Sequence, residues 1–265
     1  MRLPIYQVDA FTDSVFGGNP AAVVPLERWL PDPLLTAIAA ENNLSETAFL
    51  VPAGDGFELR WFTPTVEVDL CGHATLASAF VVRALLRPGL GRVAFTTRKA
   101  GTLTVEQEGD RLVLDFPSRP PGPVDADPAL FPGLGGAAPL EVLAARDYLV
   151  LYPDEAAVRA LEPDFRILNH LDRAVIVTAP GSGGVDFVSR FFAPTHGIDE
   201  DPVTGSAHCT LVPYWAKRLG RARLEARQIS RRGGALSCEL AGDRVRMAGG
   251  AALYLEGVIH VPDAG

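Results

Sequence analysis

The stretch Arg60-Trp-Phe-Thr-Pro-Thr65, followed by Gly72-His-Ala-Thr75 and Gly101-Thr-Leu-Thr-Val-Glu-Gln-Glu-Gly-Asp-Arg111, returns later in the same order. The second copy reads Arg190-Phe-Phe-Ala-Pro-Thr195, Gly205-Ser-Ala-His208 and Gly234-Ala-Leu-Ser-Cys-Glu-Leu-Ala-Gly-Asp-Arg244. The first block is displaced by 130 positions and the other two by 133, so three residues were inserted once, between Thr195 and Gly205. A period this long lies far above the roughly 20 to 50 residues of solenoid and propeller repeats, and it reads as duplication of a whole domain. Two like domains imply a cleft between them. The expected boundaries are 1–118 for the first domain, 119–140 for a linker and 141–249 for the second, with a return of residues from about 250 to 265 to the first domain left open.

Working outward, each copy reads strand, helix, strand, strand. The first has Ile5 to Ala10, a tight loop at Phe16-Gly-Gly-Asn-Pro20, and a helix over Leu34 to Glu41 with Asp32 as N-cap and Pro33 in the first turn. Strands at Thr47 to Val51 and Phe57 to Phe62 follow. The second has a strand at Tyr148 to Tyr152, a helix capped by Asp154, and strands at Ala174 to Thr178 and Phe187 to Phe192. Next in each copy comes a segment that starts at a glycine and is apolar nearly all round, His73 to Arg83 and Ser206 to Trp215. A helix apolar on every face is a buried one, and strands on both sides of it in sequence predict a curved sheet rolled around it. Gly-Asp at 109–110 and 242–243 predicts the same hairpin turn twice. Phe116-Pro-Ser-Arg-Pro-Pro-Gly-Pro123 and onward to Pro139 lacks periodicity and reads as the linker.

Composition narrows the function classes. Of 265 residues 48% are hydrophobic and the net charge is −8, with no Lys/Arg cluster, which argues against a nucleic-acid partner. The start, Met1-Arg-Leu-Pro-Ile-Tyr-Gln-Val-Asp9, lacks the apolar core of a signal peptide, and no uncharged apolar run is long enough for a bilayer, so a cytoplasmic protein without a membrane partner is expected. Three cysteines, Cys71, Cys209 and Cys238, fit reduced thiols better than disulfides. No H-E-x-x-H and no Cys/His cluster suggests a metal, no glycine-rich nucleotide fingerprint follows a strand, and Gly-x-Ser-x-Gly is absent, so neither metal nor cofactor is expected.

Candidate chemistry gathers at the two glycine-started helices. Their N-terminal N–H groups, at Gly72-His73 and Gly205-Ser206, are suited to hold a carboxylate. The insertion carries acids, ending in Asp201, that the first copy does not duplicate, and residues outside the repeat are better candidates for chemistry than repeated scaffold. Glu46, in Asn42-Asn-Leu-Ser-Glu-Thr-Ala-Phe49 and flanked by Ser45 and Thr47, is a second unduplicated acid, suited to general base duty if burial raises its pKa. Arg60 and Arg190, being duplicated, read as structural.

Gly18-Asn-Pro-Ala-Ala-Val23, Leu44-Ser-Glu-Thr47, Cys71-Gly-His-Ala-Thr75 and Asp201-Pro-Val-Thr-Gly-Ser-Ala207 together resemble the PhzF family of phenazine-biosynthesis-like isomerases, over essentially the full length. The resemblance implies the α+β diaminopimelate epimerase-like fold, in which two similar duplicated domains each roll a mixed sheet around a central helix. It implies a cofactor-free site in the interdomain cleft, a small carboxylate substrate and commonly a homodimer. It assigns proton transfer to Glu46 and binding and polarisation of substrate to His73, Asp201 and Ser206. Related racemases of this fold use one thiol before each helix. Cys71 stands at the first such place, but Thr204 stands at the second and cannot serve as a base, so Cys71 reads mainly as packing. An amino-acid racemase or epimerase, and a non-catalytic binding or interaction protein of the same fold, stay open as alternatives.

Overall fold

The computed structural model describes residues 1–263. Its chain divides into two compact units, one of residues 1–115 with the chain from Ala248 onward, the other of Phe116–Met247. No helix among the described residues is long and apolar enough to cross a membrane.

The first unit runs β1 (Arg2–Ala10), β2 (Asn19–Pro25), α1 (Asp32–Asn42), β3 (Glu46–Ala53), β4 (Gly56–Phe62), β5 (Glu67–Val68), α2 (Gly72–Val81), β6 (Arg92–Thr97), β7 (Thr102–Glu108) and β8 (Arg111–Pro117). The second runs β9 (Gly122–Pro123), α3 (Leu130–Leu134), β10 (Glu141–Ala144), β11 (Tyr148–Leu151), α4 (Glu155–Arg159), α5 (Phe165–Leu168), β12 (Val175–Pro180), β13 (Phe187–Ala193), β14 (Ile198–Glu200), α6 (Gly205–Leu219), β15 (Arg223–Gln228), β16 (Gly234–Ala241) and β17 (Arg244–Gly249). The last strand, β18 (Ala251–His260), belongs with the first unit.

Strand pairing repeats as the sequence does. β1–β2 is antiparallel, β2–β3 parallel, β3–β4 and β4–β5 antiparallel, β4–β6 parallel and β6–β7 antiparallel. The same senses recur in order for β10–β11, β11–β12, β12–β13, β13–β14, β13–β15 and β15–β16. Each first strand gains an antiparallel neighbour on its other side. For β10 that neighbour is β9, which follows β8 in the chain, and for β1 it is β18, which follows β17.

Inside the first unit α2 packs against β1, β2, β3, β7 and β18, and its residues from Gly72 to Ala79 are all buried, as a helix apolar on every face must be. A π-helical turn, Val82–Leu86, extends it. In the second unit α6 packs on β15 and β16 with its faces likewise buried from Ala207 to Pro213. Pro213 has no N–H to give the carbonyl of Cys209, and that carbonyl instead accepts from the Arg119 N–H at 2.8 Å. Arg60, buried, and Arg190, partly buried, each form a two-pronged bond to an acid, Glu67 at 2.7 Å and Glu200 at 2.8 and 3.0 Å, and each lies over a ring, Phe62 or Phe192. The duplicated arginines are therefore scaffold, each satisfied within its own unit.

Three expectations need correction. Residues 119–140 are no bare linker: Leu130 and Leu134 are fully buried in the core formed with Tyr148, Val150, Val158, Val177 and Phe192. Asp32 does not cap α1. The helix begins at Asp32 itself, after Pro31, and the carboxylate turns to Arg60 Nη1 at 2.8 Å, an ion pair being the stronger competitor for a charged side chain. Among the inserted acids, Glu200 is duplicated after all, since it pairs with Arg190 as Glu67 pairs with Arg60.

The expected Asp154 cap is present, its side chain accepting from the Ala157 N–H at 2.8 Å. Asp154→Ala is expected to cost about 1 kcal/mol, as loss of an N-cap does, and chemical denaturation would measure it.

Candidate active site

The parallel pairing of β2 with β3 sets Ala21 beside Glu46, so both strands start at the same end, where α2 also begins. The loop that delivers β2 is fixed by Gly18, whose φ is +60° and whose missing Cβ would sit 2.1 Å from the Ala10 carbonyl oxygen. Only glycine allows that close approach. Asn19, the next residue, is fully buried, and Asp9, also buried, accepts from the Phe16 N–H at 2.8 Å and ties the loop back to β1.

At this end the first unit assembles Asn19, Glu46, Cys71 and His73. His73 Nε2 lies 3.3 Å from Glu46 Oε2, and its Nδ1 lies 3.1 Å from Asn19 Nδ2 and 3.5 Å from Cys71 Sγ. The Asn19 amide can only donate through Nδ2, so it assigns Nδ1 as acceptor and leaves the ring proton on Nε2, facing Glu46. Burial holds His73 down at about 3. At neutral pH the ring is uncharged, and its 3.3 Å approach to Glu46 is a close polar contact and not an ion pair. Glu46 is the more open of the two, its side chain 13% exposed against 5%. Ser45, half-buried, precedes it at the mouth of β3.

Gly72 and His73 form the first turn of α2, and Cys71 before them has an extended backbone and makes no side-chain cap bond. The second unit repeats this local design with other residues. Thr204 precedes Gly205 in the same extended conformation and likewise makes no side-chain cap bond. Thr75 Oγ1 donates to the Cys71 carbonyl at 2.5 Å, and His208, its counterpart, donates through Nδ1 to the Thr204 carbonyl at 2.8 Å. The N-terminal N–H groups of both helices are thus left unclaimed by a capping side chain, which suits an anion.

Around Gly205 and Ser206 the second unit places a locked polar net. Thr204 Oγ1 donates to Asp201 Oδ2 at 2.5 Å, and buried Gln228 accepts from the Thr204 N–H at 2.9 Å while donating to the Asp201 carbonyl at 2.7 Å. Arg146, gripped by the buried Asp147 carboxylate at 2.9 to 3.2 Å, donates to Ser206 Oγ at 3.0 Å. The expected residues therefore stand at element ends: Ser45 and Glu46 at the start of β3 and Gly72 and His73 at the start of α2 in one unit, Asp201 just after β14 and Gly205 and Ser206 at the start of α6 in the other.

Sequence reasoning missed Asn19, Arg146 and Gln228, and treated Cys71 as packing. Asn-Pro reads first as turn chemistry, which concealed Asn19, and nothing in the order of the chain marks Arg146 or Gln228. It also saw no possible metal set, yet one donor atom from each of Glu46, Cys71 and His73 lies within 4.8 Å of the others.

Residues 8–257 match the family model described as phenazine biosynthesis-like protein. An uncharacterised isomerase of Pseudomonas aeruginosa is 54% identical over 98% of this chain and 100% of its own. The crystal structure of a PhzF-family phenazine biosynthesis protein from Enterococcus faecalis superposes with a TM-score of 0.94 at 47% identity, covering 98% of this chain and 100% of that one. A hydroxyproline epimerase from Agrobacterium vitis shares the fold alone, with a TM-score of 0.59 at 12% identity over 99% of this chain and 93% of that one.

Proposed function

Because the chain belongs to the phenazine biosynthesis-like family, an isomerase family, we propose that it moves a proton between carbons of a small carboxylate or amino-acid-like substrate, without a cofactor and with Glu46 as proton carrier. The observation that carries this reading is the contact of Glu46 with a neutral, buried His73 at 3.3 Å. A carbon next to a carboxylate is a very weak acid, and its anion needs donors aimed at the developing charge. The Nε2–H of His73 and the N–H groups at Gly72-His73 are such donors, and neither brings a competing charge that would quench the base.

In this proposal Asp201, Gly205 and Ser206 serve the same substrate as Glu46. Arg146 supports the binding role of Ser206: a hydroxyl that accepts from a guanidinium keeps its own proton to donate. The working form we propose is a homodimer in the cytoplasm, and sedimentation equilibrium tests its oligomeric state.

Incubation with a panel of amino acids and cyclic dienyl carboxylates in heavy water tests the reaction. Deuterium on carbon with a shifted double bond is the expected result, loss of optical activity instead would identify a racemase, and no uptake across the panel would favour a binding protein. Asp201→Asn keeps an acceptor for Thr204 but removes the charge. With a substrate identified, it should raise KM and lower kcat together, with kcat/KM falling by about 10- to 100-fold, as loss of a charged hydrogen bond does.

A further inference from the structure

We propose that Glu46, Cys71 and His73 form a binding site for a thiophilic divalent cation of the zinc type, and that its occupancy blocks proton transfer. Each of the three offers one donor atom, and these atoms lie within 4.8 Å of one another. With Nε2 as the ligand atom, its 3.3 Å contact with Glu46 Oε2 already has the length of an edge of a ligand tetrahedron, roughly 3.3 to 3.7 Å for zinc bonds of about 2.0 to 2.3 Å, while Cys71 Sγ, 3.5 Å from Nδ1 of the same ring, must turn toward Nε2. Closing all three around one ion requires a contraction of about 1 Å, within reach of a side-chain rotation.

The donor set selects the ion. One sulfur, one nitrogen and one oxygen suit zinc and its heavier congener cadmium, whereas magnesium and calcium require oxygen ligands alone. Three protein ligands leave a fourth position open, the pattern of an accessible site and not of a closed structural one. Access runs past Glu46, the most exposed of the three.

Binding balances simply. The Cys71 S–H bond breaks and its proton leaves to solvent as the metal–sulfur bond forms. The ring proton of His73 moves from Nε2 to Nδ1 so that Nε2 can ligate, and the Asn19 amide, now 3.1 Å from Nδ1, turns to present its oxygen. An ion so held occupies the carboxylate that the proposed reaction uses as base. The blocking effect therefore rests on the function proposed above, but the site itself does not.

Cadmium titration of the reduced, chelator-treated full chain tests both parts. The expected result is an ultraviolet cadmium–thiolate charge-transfer band that saturates at one ion per chain and is absent in Cys71→Ser. Cys209 and Cys238 should not contribute, since neither belongs to a donor cluster among the described residues and burial pushes the Cys209 thiol up to about 11 and that of Cys238 further. Asn19→Ala should weaken binding by about 10- to 100-fold, the usual effect of losing a group that orients a metal ligand. If Cys71→Ser does not fold, Glu46→Gln serves instead, and its titration midpoint should move at least about tenfold higher. Absence of the band, its persistence in Cys71→Ser, or an unmoved midpoint in Glu46→Gln would overturn the site and leave the proton-transfer reading untouched. Stoichiometric zinc should also abolish carbon–deuterium exchange, with recovery on adding chelator. A saturating band with undiminished exchange would overturn the blocking role, and with it Glu46 as proton carrier, while the metal site stood.

Discussion

Glu46→Gln should lower carbon–deuterium exchange by about two to four orders of magnitude, the span that general acid–base catalysis contributes. The substitution keeps the size of the side chain and an oxygen that can accept from His73 Nε2 across the present 3.3 Å, so the surrounding packing is preserved. What it removes is the basic oxygen. Cys71→Ala provides the contrast, because a one-thiol mechanism would put the proton on sulfur: Thr204, at the matching place before α6, spends its hydroxyl on Asp201 and cannot act as the second base. Exchange measured in both variants on one substrate decides between them. An inactive Cys71→Ala with a near-normal Glu46→Gln would make the protein a thiol racemase and sink the carboxylate mechanism.

Acid should weaken both units well before the carboxylates titrate. Burial depresses His73 to about 3 and His208 to about 4, whereas both bind a proton near pH 6.5 once unfolded. Between those limits the unfolded chain holds more protons than the folded one, so stability is greatest above pH 6.5 and falls as the pH falls. Taking the pH from 7 to 5 should cost about 2 kcal/mol per histidine, out of a total stability of the order of 5 to 15 kcal/mol. Urea denaturation at the two pH values measures the loss, and a His208→Gln variant should retain only the part due to His73. Equal stability at pH 7 and pH 5 would show that neither ring is held neutral.

The repeat made the architecture legible, because duplicated words carry both fold and internal alignment. The strand pair after a helix in each copy (β3 and β4, β12 and β13), the two buried helices and the hairpin turns at Gly109 and Gly242 followed from it together with apolar periodicity, whereas β2 and β10 did not. Glycine and proline in 119–140 masked a structured segment, since turn formers punctuate the chain without reporting that Leu130 and Leu134 between them are buried. Asp32 showed the limit of capping rules: a cap bond of about 1 kcal/mol yields to a buried arginine 28 residues away that sequence cannot bring near. The candidate residues were legible where they coincided with motifs, Glu46 and His73 in the first unit and Asp201 and Ser206 in the second. Asn19 was not, because its contact with His73 depends on the loop closed by Gly18 and on the buried start of α2, which sequence cannot bring together.

The way β9 and β18 are placed has a consequence for ancestry. Each unit closes its first strand with a segment that follows the last long strand of the other, as the pairings β9–β10 and β1–β18 show. A half-length chain with this order of elements would carry its closing strand at its own end and could complete its sheet by lending that strand to a second molecule and borrowing one in return. The progenitor of such a gene would then have been a strand-exchanged pair of identical polypeptides, and fusion of the two coding regions would have made the exchange permanent within one chain. Once fused, the copies no longer had to remain identical. Thr204 could depart from Cys71, and Ser206 from His73, while the scaffold arginines with their paired acids stayed in both.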